Sequence, residues 1–189
     1  GIGRQLLARS EQGARAAGFA HLEIAATLPG VPLYEAGGYT SVEATTVPKT
    51  WVNGGRMRLP LPGGATEPLG NRIITLPQDP ERVESRDPHS GFIAYVPQGS
   101  VKKGEALVNN GGNGKTVQCA VCHWEGLKGL GDVPRLAGVH PIYIVRQLYN
   151  FQTGANTSTA GAQMKKVAEK LTEEDMINIA AYTASLAPM

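Results

Sequence analysis

The chain has 189 residues, a hydrophobic fraction of 41% and a formal net charge of +2. Such a length suits one medium domain or two small ones, and the hydrophobic fraction predicts at least one core. So small a net charge gives no reason to expect nucleic acid or an anionic membrane as partner, and no apolar run reaches the length of a membrane span. The chain starts at Gly1 rather than Met and shows no secretory signal, so its N-terminus is expected to be processed, engineered or truncated. Charge is uneven along it. Residues 1–62 carry 6 basic and 4 acidic groups, residues 63–90 carry 3 and 5, and residues 91–189 carry 9 and 7. This unevenness divides the chain into three expected parts: 1–62, an acidic linker or strap at 63–90, and 91–189.

In the first part, "GIGRQLLARSEQGARAAGF" reads as a helix entered through glycines. "HLEIAAT" alternates Leu22, Ile24 and Ala26, as a strand does. "VPLYEAGGY" reads as a short helix ended by Gly37 and Gly38, and "YTSVEAT" and "GRMRLPL" as strands, with Asn53-Gly54-Gly55 a turn between strands. The piece resembles the C-terminal half of a GNAT-type N-acetyltransferase, through "GIGRQLL" and "LPGVPLYEAGGY". The resemblance implies a partial β/α fragment in which backbone groups at Gly1 and Gly3 touch the pyrophosphate of acetyl-CoA and Tyr34 is the candidate general acid. The family's first strands, its substrate-binding helices and the residues usually preceding the glycine loop are absent. Acetyl transfer is therefore carried only as an alternative, and the piece is expected to be a vestigial or joined remnant.

The stretch "PLPGGATEPLG" at 60–70 is rich in Pro and Gly and reads as a linker. The polar, proline-interrupted run after it is expected to be an extended strap, packed on the last part through Phe92, Ile93 and Tyr95. The rest of 91–189 reads as helical, with long loops and no convincing strand. Ser100 is placed to cap a helix over "VKKGEALVNN", ended by the glycines of "GGNG". Pro141 suits the first turn of an amphipathic helix ended by Gly154. A short helix comes next, near "QMKKVAEKL". The last helix, "TEEDMINIAAYTASL", takes Thr172 as its cap, with acidic residues in its first turn.

The chemistry sits in "VQCAVCHWEG". Cys119, Cys122 and His123 form C-x-x-C-H, and no other cysteine is present. Covalent haem attachment needs two thiols about one helical turn apart, each adding to a vinyl group, with an imidazole next door to reach the iron. A structural zinc site needs four ligands, and the second pair is missing; His21, His89 and His140 form no H-x3-5-H group. A thioredoxin-like dithiol wants a strand before the motif and a helix starting at it, whereas here a helix precedes and a glycine-rich loop follows. Haem is the favoured reading. For the second axial position the candidates are Met57, Met164, Met176, Met189 and His140. Met176 reads as core, Met189 is terminal, and His140 stands at a helix start. Met164, expected at a loop-to-helix junction about 40 residues past His123, is far enough along for the chain to wrap the ring. A thioether there favours the ferrous state relative to a second histidine.

Residues 91–189 resemble a class I cytochrome c, nearest the c4-like and c553-like periplasmic carriers. The residues that carry the likeness are "KGEAL", "CAVCH", "VPRLAG", "YIVRQLYNFQTG", Met164 and the last helix. The resemblance implies an all-α haem domain with thioether links at Cys119 and Cys122 and axial ligands His123 and Met164. It implies that the Pro134 carbonyl accepts from the other imidazole nitrogen, and that Gly104 packs against Tyr182 where the first and last helices cross. It further implies a periplasmic one-electron carrier with no catalytic residues. Such a carrier would meet redox proteins through an exposed haem edge. A haem subunit of a dehydrogenase or oxidase is the third reading.

Overall fold

A computed structural model describes residues 38–53, 57–87 and 89–188, together with Gln12 and Ala16. The chain divides into two units, Gly1–Leu33 and Tyr34–Met189, and the second holds the C-x-x-C-H motif. Gly1, Gly3 and Tyr34 lie outside the described residues, as do the expected "HLEIAAT" strand and residues 31–37 of the expected "VPLYEAGGY" helix, whose last residue, Tyr39, opens a strand.

The first described elements of the second unit are strands: β1 (Tyr39–Glu43), β2 (Thr46–Pro48), β3 (Thr50–Val52), β4 (Arg58–Pro60), β5 (Thr66–Pro68) and β6 (Ile74–Pro77). The β3–β4 pair is antiparallel, with Trp51 opposite Leu59; Gly54 and Gly55 of the turn expected between strands lie outside the described residues. The stretch 63–90, expected to be a linker, holds β5, β6 and a short helix α1 (Pro80–Glu84), capped by the Asp79 carboxylate. Leu69, Ile74 and Leu76 from that stretch are buried against Val47. Full burial of such side chains stabilises by roughly 1.5–3 kcal/mol each, which is why the run folds rather than trailing as a strap.

A strand, β7 (Phe92–Val96), also stands where none was expected. It is central in a three-stranded sheet, parallel to β1 on one side and antiparallel to β6 on the other. The expected anchors Phe92, Ile93 and Tyr95 are only half-buried, while Ala94 and Val96 are fully buried. The reason is what lies beneath: the small residues Ala181 and Ala184 of the last helix, which let the sheet approach closely.

Among the described residues, five α-helices follow, α2 (Ser100–Gly114), α3 (Ala120–His123), α4 (Pro141–Thr153), α5 (Thr159–Ala168) and α6 (Glu173–Ser185), with a 3-10 turn at Glu125–Leu127. The cap of α2 is Gly99, not Ser100, which is the first helical residue and fully buried. The acceptor that a serine cap would have provided comes from β1, where the Glu43 carboxylate takes the Val101 N–H at 2.9 Å. Thr172 does cap α6, in a capping box with Asp175. Pro141 opens α4 and Gly154 ends it with a left-handed φ of 76°.

The main core lies between α2, α4 and α6 and includes Leu107, Val108, Ile144, Leu148, Met176 and Ile179. Met176, expected to be a core methionine, is 1% exposed. The crossing of α2 and α6 depends on Gly104: a Cβ there would stand 1.9 Å from the Asn178 carbonyl oxygen and 2.8 Å from the Tyr182 Cβ. Among the described residues no helix is long and apolar enough to cross a membrane.

Candidate haem site

The site begins where α2 loses its helical path, at Gly111. The chain then turns back, and the Cys119 N–H donates to the Val108 carbonyl at 3.0 Å, which fixes the motif to the helix before it. The N–H groups of Cys122 and His123 both donate to the Cys119 carbonyl, at 3.2 and 2.9 Å. The motif is therefore one helical turn, with its two sulfurs three residues apart and its imidazole at the end. Trp124, at φ 65°, stops the turn. Cys122 is exposed and Cys119 half-buried. Burial, with the neighbouring Cys122, pushes the Cys119 thiol up to about 11.

His123 is buried, and its Nδ1 lies 2.7 Å from the Pro134 carbonyl oxygen. A carbonyl only accepts, so Nδ1 carries a proton, and the tautomer this contact favours has its lone pair on Nε2. That is the tautomer a metal-binding imidazole needs. The loop that brings Pro134 round is closed by the reciprocal Leu130–Val133 backbone pair, 3.0 Å in each direction, and by the Gly129 N–H donating to the His123 carbonyl at 2.8 Å. Gly129 has φ 78°, and a Cβ there would come within 2.6 Å of the Val133 carbonyl oxygen and 2.7 Å of the Arg135 nitrogen. Sequence reading placed Gly129 in the glycine-containing loop with Pro134 but gave it no role at the site. The G-L-G spacing just upstream of "DVPRL" was the signal that could have found it.

Met164 lies inside α5 rather than at a loop junction, and is half-buried. It borders the same core cluster as Cys119, Ala120, Leu136 and Tyr143, so the fold brings the motif and Met164 to the edge of one core. Of the other candidates, Met176 is inside that core. Met57 lines a cavity of about 280 Å³ with Thr75, Phe92 and His140, and Met189 lies outside the described residues. His140 is the N-cap of α4; its Nδ1 accepts the Ile142 N–H at 3.2 Å.

The donor set fits a haem bound through two thioethers. The exposure of apolar side chains fits as well. Five of the eleven large hydrophobic side chains exposed among the described residues fall within 117–133: Val117, Val121, Trp124, Leu130 and Val133. Such a concentration suits the walls of a cradle for an apolar macrocycle. Zinc fits less well, since among the described residues no three His, Cys, Asp or Glu side chains come together.

Residues 101–187 match the cytochrome c family. They form a class I cytochrome c domain, and within that class the likeness is to cytochrome c4. A cytochrome c-552 of Acidithiobacillus ferridurans is 34% identical over 92 residues, covering 48% of this chain and 39% of that protein. A cytochrome c4 of Thiocapsa roseopersicina is 36% identical over 97 residues, covering 50% and 45%. Among solved structures, the cytochrome c4 of Acidithiobacillus ferrooxidans shows 35% identity over 47% of this chain and 50% of that one, with a TM-score of 0.42. The chain thus spans less than half the length of these two curated relatives. The family implies covalently bound haem c with its iron. Both curated relatives are cytochromes c, and neither supports the acetyltransferase alternative.

Proposed function

We propose that the haem-bearing part of the chain, residues 91–189, is a one-electron carrier. In it Cys119 and Cys122 hold a single haem c through thioethers, and His123 and Met164 are its axial ligands. The observation that carries this reading is the His123–Pro134 contact, which holds the imidazole as the tautomer with Nε2 free, directly beside the two thiols. Haem c, when bound, supplies an iron that accepts and returns one electron. The protein's part is to fix the ligands and tune the site. The Pro134 carbonyl orients His123 and raises its basicity. Met164 offers a thioether, which favours the reduced metal. The exposed apolar side chains of 117–133 shield the ring.

In this reading no side chain forms or breaks a substrate bond, and the partners are redox proteins met at an exposed edge of the macrocycle, in small, short-lived contacts. Haem c is attached outside the bacterial cytoplasm, so the domain is placed in the periplasm. The likeness of residues 1–62 to an acetyltransferase fragment rests on their sequence, and no role is assigned to it. The Met164→Ala variant tests the ligand assignment. Its oxidised form is expected to lose the far-red absorption of a methionine–iron bond, and its midpoint potential to fall. An unchanged ligand spectrum overturns the assignment.

A further inference from the structure

Helix α5 ends with only part of its last turn met from within its own stretch of chain, by the Leu171 N–H on the Ala168 carbonyl at 3.0 Å. The last carbonyls of a helix have no partner within it and are met by a glycine turn, by water or by other side chains. Here two side chains from outside the helix add to that turn bond. The Thr116 hydroxyl, three residues before Cys119, donates to the Val167 carbonyl at 2.7 Å. The Gln152 amide, near the end of α4, donates to the Ala168 carbonyl at 2.9 Å and the Leu171 carbonyl at 2.7 Å. Every oxygen within reach of that amide nitrogen is a carbonyl, so its two hydrogens have two acceptors of the right kind. Val167 stands three residues after Met164, close to one helical turn away. Thr116 thus ties the arm that carries Cys119 directly to the helix that carries Met164, and Gln152 locks the turn after that helix to α4.

We propose that Thr116 and Gln152 are positioning residues that hold Met164 on the metal. They clamp the C-terminal end of α5 to the motif arm and to α4. The proposal rests on the reading of Met164 as axial ligand. A thioether is a weak ligand on a flexible side chain, so its residence on the metal depends on how firmly its helix is held. Loosening the end of α5 leaves the covalent links and His123 in place and raises the fraction of molecules with Met164 dissociated. Only that fraction admits an external ligand, so the apparent affinity for the ligand reports it.

The test is imidazole binding to the oxidised, haem-loaded full chain, followed by visible absorption. Thr116→Val and Gln152→Met keep volume and remove the donors. Each is expected to bind imidazole about fivefold more tightly than the parent, the population change produced by losing about one net hydrogen bond. Thr116→Ser keeps the hydroxyl and is expected to stay within about twofold of the parent. So is Ile179→Val, which weakens the shared core from α6 and leaves both donors to the end of α5 in place. Parent-like affinity in Thr116→Val overturns the clamp, as does equal tightening in Ile179→Val, which would make the effect one of general stability. If Gln152→Met does not fold, the Thr116→Val and Thr116→Ser pair decides alone. Met164→Leu separates the two claims: an unchanged ligand spectrum sinks the axial assignment and the clamp with it, whereas a changed spectrum beside a parent-like Thr116→Val sinks the clamp alone.

Discussion

The His123 ring is oriented by a backbone carbonyl, that of Pro134, which accepts from Nδ1. A carbonyl cannot be protonated at ordinary pH, so the orientation does not depend on a neighbouring acid's titration. Elsewhere single residues are held just as tightly by space. A methyl group at position 104 would overlap the Asn178 carbonyl oxygen at 1.9 Å, and that oxygen belongs to a helix backbone with little freedom to shift. Gly104→Ala is therefore expected to cost about 2–4 kcal/mol, read as a lower urea midpoint at unchanged slope. A loss of less than about 1 kcal/mol would mean that α2 and α6 do not meet so closely. The need for glycine there was visible in the sequence only through its family likeness. The C-x-x-C-H order was visible outright, because its spacing is local chemistry. The donors Thr116 and Gln152 were not visible, since their acceptors lie far along the chain at 51 and 16–19 residues' separation.

Among the elements, α4 shows how a cap can carry a pH dependence. His140 caps α4 through its unprotonated Nδ1, and its ring meets Tyr39 edge-on at 5.0 Å. Burial, then the Arg146 charge, lowers its pKa from 6.5 to about 4. The folded protein therefore binds this proton less readily than the unfolded chain. Stability from this group is fully present above about pH 6.5 and is lost as pH falls towards 4, by up to about 3 kcal/mol. Denaturant midpoints from pH 7 to pH 4.5 should fall in the parent and flatten in His140→Asn, which keeps a cap but does not titrate. An equal slope in both would remove His140 as the cause. The helices themselves were legible from their punctuation, namely Pro141, Gly154 and Thr172. Strand β7 was not, because its partners β1 and β6 lie outside the stretch read as helical. Nothing within "FIAYV" alone reveals that Ala94 and Val96, not the aromatic residues, face inward.

At the scale of the whole molecule, sheet and helices form one unit from Tyr34 to Met189, because α6 serves both. One side of it completes the helical core with Met176 and Ile179, while Ala181 and Ala184 lie against the sheet. That dual use is why a chain read as three parts in charge and composition packs across the expected divisions at residues 62 and 90: β1 at 39–43 pairs with β7 at 92–96. The central claim concerns what this scaffold holds, and covalency tests it most directly. The full chain, matured in a host that attaches haem c, should show sharp visible bands when reduced. The haem should stay with the protein through acid–acetone extraction, and a Cys119→Ser, Cys122→Ser double variant should give it up. Passage of all the colour into the solvent from the parent protein would contradict the account.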